Sequence, residues 1–199
     1  LYTINTDRLI LRPFFKRDVD RVVVLAGEPP IVDSIVALPQ PCTEEIAESW
    51  IDGHLRDARN GRGFHFAITE ASAPDLPFGY VALMNVNREC EEAQLGLWVG
   101  FDYTGKGYAS EAARAVVHFG FSTVLLNRIS ALHKKKNQAA QKVLEHAGMQ
   151  KEGILRQRVR EHNSFQDVVV WSILRQEWAD DFDYAELHVP VEKHERVFL

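Results

Sequence analysis

The stretch YTGKGYASEAA, residues 103–113, places two glycines around a lysine and follows them directly with good helix formers. Gly105 and Gly107 lack a Cβ, so the backbone can bend sharply there and its N–H groups can approach a ligand closely. A helix that begins just after the turn adds unpaired N–H donors and the positive end of a dipole. Lys106 is a further cation and Ser110 a further hydroxyl donor. That combination suits a diphosphate. A plain turn leading into a helix uses the same residue types, and the surrounding elements must decide between the two.

Two common phosphate motifs are missing. The chain has no G-x-x-x-x-G-K-[ST], which excludes a P-loop nucleotide triphosphatase. It has no G-x-G-x-x-G near the first strand of a βαβ unit, which argues against a Rossmann dinucleotide fold. The glycine turn instead follows the fourth strand of an antiparallel run.

Hydrophobic periodicity and capping signals place the elements around the turn. RLILRP at 8–13 alternates and reads as a first strand, stopped by Pro13. A short helix is expected over 18–26, then a Pro-rich stretch over 29–41. Thr43, followed by Glu44 and Glu45, caps a stronger helix that runs to Arg59. Three strands follow at 64–68, 78–86 and 93–101. The helix after the glycine turn has a polar stripe of Glu111, Arg114 and His118 in otherwise small or apolar surroundings, so it lies deep. A strand at 128–132, a helix from Asn137 to Ala147 closed by Gly148, and strands at 154–160 and 168–174 complete the order β-α-α-β-β-β-α-β-α-β-β. This is a mixed α/β (α+β) domain over 6–178. The tail, 179–199, is polar and aperiodic, and is expected to wrap the surface or a partner subunit, which leaves a homodimer open.

Composition narrows the function classes. In 199 residues, 46% hydrophobic content supports a sizeable core, while a net charge of −5 speaks against a general nucleic-acid binder. Cys42 and Cys90 lie far apart, and the eight histidines show no metal-binding spacing, so neither a disulfide framework nor a metal site is expected. No apolar stretch reaches the roughly 20 residues a membrane helix needs, and the start does not resemble a secretion signal. A cytoplasmic protein with no membrane partner is the expectation.

The segment LGLWVGFDYTGKGYASEAARAVVHFGF, followed by LNRISA, an asparagine and VLEHAGMQKEG, resembles the GNAT superfamily of acyl-CoA-dependent N-acetyltransferases. It is most similar to the Rim-type branch, the ribosomal-protein N-terminal acetyltransferases. The likeness runs from TDRLILRP to VVVWSILRQEW. It implies a mostly antiparallel central sheet of roughly seven strands that splays open between strands four and five, with acetyl-CoA in the splay. The backbone of Leu97, Trp98 and Val99 would pair with the pantetheine arm. The diphosphate would sit on the amides of Gly105, Lys106, Gly107, Tyr108, Ala109 and Ser110. Asn137 would hydrogen-bond the cofactor, although a helix N-cap explains it equally well. Lys134, Lys135 and Lys136 would attract the 3′-phosphate or form a solvated loop. The Trp98 ring would line the cleft or belong to the core.

The chain departs from the family pattern in places. Thr104 stands where the loop usually begins with Gln or Arg. Leu144 occupies the position of a common tyrosine acid, and Ala140 that of a serine frequent in the Rim-type branch. Gln94 takes the place of a base glutamate; it cannot accept a proton but can hold a water that does. Glu92, two residues away on the same strand face, is the first candidate for the base, weighed against an exposed turn glutamate. His65 and His133 are the alternatives. The implied activity is direct transfer of an acetyl group from acetyl-CoA to a primary amine in one ternary complex. The acceptor is a peptide or protein N-terminus, or a small amine such as a polyamine, aminoglycoside or amino acid. A non-catalytic acyl-CoA-binding module is the reading from another class.

Overall fold

The computed structural model describes residues 1–32, 34, 38–161, 163–180 and 191–193. The seven expected strands are β2 (Leu9–Arg12), β3 (Phe64–Glu70), β4 (Gly79–Asn87), β5 (Glu92–Val99), β6 (Arg128–Lys134), β7 (Gln150–Glu161) and β8 (Ser164–Leu174). Two short strands extend one edge: β1 (Tyr2–Asn5) on β2, and β9 (Val191–Lys193) on β1. The sheet order is β7-β8-β6-β5-β4-β3-β2-β1-β9. All neighbours are antiparallel except β5 and β6, which run parallel. Part of the tail therefore belongs to the sheet. Residues 181–190 and 194–199, on which the rest of the tail expectation falls, lie outside the described residues.

The helices are α1 (Val19–Ala26), α2 (Pro29–Val32), α3 (Glu44–Arg59), α4 (Tyr108–Ser122), α5 (Gln138–His146) and α6 (Arg175–Asp180). Thr43 caps α3, its hydroxyl oxygen accepting from the Ile46 amide at 3.4 Å. α2 falls in the stretch read as a Pro-rich loop; proline suits a first helical turn, where its missing N–H has no partner to lose. Residues 33 and 35–37 of that stretch lie outside the described residues.

Each face of the sheet buries its own core. On one face α4 contributes Ala112, Ala113, Val116, Val117, Phe119 and Phe121, all at most 1% exposed, against Leu83, Leu95 and Ile129. Burying each such large side chain contributes about 1.5–3 kcal/mol, which anchors the glycine turn to the sheet. On the other face α1 and α3 cover Ala67, Tyr80, Ala82 and Trp98.

The parallel pair creates the opening. The β5–β6 ladder runs from Glu92↔Arg128 to Leu95↔Ala131 and stops there. Beyond it, β5 continues on β4 to Val99↔Gly79, while β6 continues on β8 to Lys134↔Val168. The two strands therefore diverge, each held by its outer neighbour. Residues 96–99 of β5 face the gap with no ladder partner on β6.

Candidate functional site

A cleft of about 670 Å³ fills this splay. Its floor and one wall come from Gln94 and residues 95–99 of β5, and the facing wall from residues 131–134 of β6. Thr104, Gly105 and Ala109 rim it at the start of α4; Asn137, Ala140 and Leu144 close it from α5. Of the residues named from sequence, Gln94, Leu97, Trp98, Val99, Gly105, Ala109 and Asn137 are brought together here. Lys106, Gly107, Tyr108 and Ser110 continue the same turn and helix start but do not border the cleft, and neither does Glu92.

The glycine turn has the backbone its sequence suggests. Gly105 and Gly107 have φ of 72° and 81°, left-handed values that a Cβ penalises, and Gly107 is the N-cap of α4. The Thr104 hydroxyl donates to the Phe101 carbonyl at 2.8 Å, so the residue that replaces Gln or Arg closes the turn on itself. Asn137 caps α5, its Oδ1 accepting from the Ala140 amide at 2.9 Å. The cap occupies the oxygen, and Nδ2 has no hydrogen-bond partner among the described residues. Trp98 borders the cleft, and its ring stacks on Tyr80 at 5.6 Å in the core.

The three lysines at the end of β6 are engaged. Lys134 is buried and its Nζ donates to Glu161 Oε1 at 2.8 Å; Lys136 meets the same carboxylate at 3.1 Å, and Lys135 approaches Asp167 at 3.9 Å. Hydrogen bonds from Lys134 and Lys136 hold the Glu161 carboxyl down to about 2. These contacts tie the rim of the cleft to the β7–β8 hairpin.

Residues 8–150 match the acetyltransferase (GNAT) domain family. The chain belongs to the GNAT acetyltransferases. It is 28% identical over 177 residues to the uncharacterized N-acetyltransferase p20 of Bacillus licheniformis, covering 89% of this chain and 98% of that protein. Among solved structures, Mycobacterium smegmatis RimJ in complex with CoA-disulfide is similar with a TM-score of 0.74 at 25% identity, covering 85% of this chain and 83% of that one. The Vibrio cholerae spermidine N-acetyltransferase in complex with CoA and spermine is similar with a TM-score of 0.77 at 20% identity, covering 88% and 100%.

In this GNAT domain the apolar wall is notable. Leu144 is buried and lines the cleft beside Ala140, so α5 presents no hydroxyl at either position. His133 borders the cleft. Its Nδ1 donates to the Lys134 carbonyl at 2.9 Å, and its buried Nε2 has no hydrogen-bond partner among the described residues. Gln94 also borders the cleft, and its Oε1 accepts from Asn85 Nδ2 at 3.4 Å.

His65 lies instead in a buried aromatic cluster under α3, which the sequence did not reveal. It stacks on His54 at 4.1 Å, its Nδ1 is 2.9 Å from the Tyr80 hydroxyl, and its Nε2 is 3.4 Å from Asp57 Oδ2. Trp50, His54 and Asp57 share one face of α3 at helical spacing, the one signal that was available. Burial lowers His65 from 6.5 to about 4, with Asp57 partly opposing; burial and the neighbouring His65 depress His54 as well. Between pH 4 and 6.5 the unfolded chain therefore binds more protons than the folded one. Their neutral burial is fully tolerated above about pH 6.5, and stability is lost as pH falls towards 4. Melting temperatures are expected to decline over that window. His65→Gln should melt lower at pH 7 yet show a flatter decline; an equally steep decline would assign the effect to other groups.

Proposed function

We propose that this chain transfers an acetyl group from acetyl-CoA to a primary amine by direct attack in a ternary complex. The observation that carries the reading is the β6-facing edge of β5: residues 96–99 pair with β4 on one side, have no ladder partner on β6, and face a cleft rimmed by a left-handed glycine turn. An extended pantetheine arm would supply the missing strand, and the amides from Gly105 to Ser110 would receive the diphosphate. Asn137 Nδ2 would donate to the arm. The acyl donor brings the reactive thioester. The chain orients it, polarises its carbonyl through the amide of Trp98 or Val99, and provides a route for the amine proton. Gln94 would position a water in that route and Glu92 would take the proton. RimJ and the spermidine enzyme, solved with CoA species, support the donor class.

A peptide or protein N-terminus heads the acceptor classes, from the Rim-type resemblance; a small amine comes second. One observation favours a different reading, a non-catalytic acyl-CoA binder: Leu144 and Ala140 make the α5 wall apolar where related enzymes carry hydroxyls. Release of free CoA from acetyl-CoA, assayed against a panel of peptides and small amines, tests both. Amine-dependent release is expected. CoA binding without release for any acceptor would leave the binder.

Asn137→Asp separates the cap from the cofactor contact. Aspartate caps about as well as asparagine, so the melting temperature should hold. Loss of the Nδ2 donor should raise KM for acetyl-CoA by about tenfold, the loss of roughly one hydrogen bond. An unchanged KM would leave Asn137 as a cap alone.

A further inference from the structure

We infer that Arg8, at the entry to β2, is a positioning residue for the diphosphate turn, an inference that rests on the acetyl-CoA reading above. Arg8 borders no part of the cleft. It reaches the turn from behind, 98 residues away in sequence, where its Nη1 donates to the Lys106 carbonyl at 3.1 Å. The peptide between Lys106 and Gly107 is planar and trans, so its C=O and N–H point in opposite directions. Holding the carbonyl on the Arg8 side turns the Gly107 amide away from Arg8.

A second contact removes an electrostatic fault. Glu111 lies in the first turn of α4, where a carboxylate suits the helix dipole but would repel a diphosphate bound at the same end. Arg8 covers it. Nε donates to Glu111 Oε2 at 2.7 Å, Nη2 approaches the same oxygen at 2.6 Å, and the Arg8 backbone N–H donates to Oε1 at 3.1 Å. The Thr6 hydroxyl adds a donor to Oε1 at 2.6 Å. The guanidinium also lies over the Tyr108 ring, 4.7 Å from its centroid, and the Tyr108 hydroxyl is tied to Glu70 at 2.6 Å. One fork-shaped cation thus fixes the carbonyl of the turn, the acid and the first residue of α4. Lysine has the charge but not the fork. Because the Arg8 side chain is half exposed, its ion pair adds little to global stability.

The test compares CoA with S-acetylpantetheine, which keeps the thioester arm and lacks the diphosphate. For Arg8→Gln, calorimetry should show CoA binding weakened by about tenfold, the scale of one charge-assisted hydrogen bond. S-acetylpantetheine binding, followed by ligand-observed NMR, and the melting temperature should stay as in the wild type. Arg8→Lys should recover part of the CoA affinity. Wild-type affinity for CoA in Arg8→Gln overturns the positioning role and leaves the acetyl-CoA reading intact. Equal loss for both ligands, with a lowered melting temperature, overturns it too, because Arg8 would then act through the fold. Failure of the wild type to bind CoA removes the reading itself.

Discussion

Gly107→Val is expected to weaken CoA binding by at least about tenfold, equivalent to some 1.4 kcal/mol. Gly107 adopts φ of 81° as the N-cap of α4, and a β-branched residue there is strained whatever the space around it. Its new Cβ would stand 3.4 Å from Arg8 Nη2, an ordinary contact with a flexible side chain, so the strain comes from the backbone conformation. Relief requires the turn to rotate, and the amides rotate with it. Gly105→Val is the companion variant. Gly105 has φ of 72° but no heavy atom within 4 Å of its Cβ position, so steric contact is absent. A loss at 105 must come from the backbone conformation or from a side chain standing in the cleft. Calorimetry on both folded variants measures the effect. CoA affinity unchanged in both would sink the diphosphate assignment.

The long elements were legible because their signals are local. α4 shows its buried face in a run of alanines and valines, and α3 and α5 carry capping side chains at the expected residues. β1 and β9 were not legible. β1 has four residues and a single fully buried side chain, Ile4, too few for a period to appear. β9 has three, and its strand identity comes from pairing Tyr2↔Lys193 and Ile4↔Val191 across nearly the whole chain. The end of β5 was placed too late for a similar reason. Phe101 looks like a continuation of the strand, but residues 101–103 form a 3₁₀ turn, closed from outside when the Phe101 amide donates to the Glu28 carboxylate.

The candidate site divides along the same line. The glycine turn and Asn137 could be read because glycine conformation and helix capping are properties of a few consecutive residues. Arg8 could not, since its role depends on β2 lying beside the start of α4. The buried cluster of His54, His65 and Tyr80 draws on α3, β3 and β4, three elements whose approach no short pattern encodes. The lysine run shows the limit of residue type alone. It reads as a free cationic loop, yet Lys134 is buried and shares Glu161 with Lys136.

Proton handling gives the second large expected effect. With Leu144 and Ala140 on the α5 wall, no hydroxyl there can serve as acid. Gln94 borders the cleft, and its Oε1 accepts from Asn85 Nδ2 at 3.4 Å. Glu92 lies two residues along the same face, about 7 Å away by strand geometry, a gap that a water at Gln94 would bridge. Its cross-strand partner on β6 is Arg128, whose guanidinium forks onto Glu152 and so leaves Glu92 without a dedicated ion pair among the described contacts. General-base catalysis contributes typically about 10²–10⁴-fold. Glu92→Gln should therefore lower kcat by at least about tenfold, provided chemistry rather than product release limits turnover. CoA affinity should be unchanged, because Glu92 borders no part of the cleft. If kcat stays within about twofold, a difference of a few tenths of a kcal/mol, Glu92 is an ordinary residue at the start of β5. The proton must then leave by another group, and His133 is the better placed of the two histidines. Its buried Nε2 has no hydrogen-bond partner among the described residues and belongs to a residue that borders the cleft, whereas His65 is held by Tyr80 and Asp57 beneath α3.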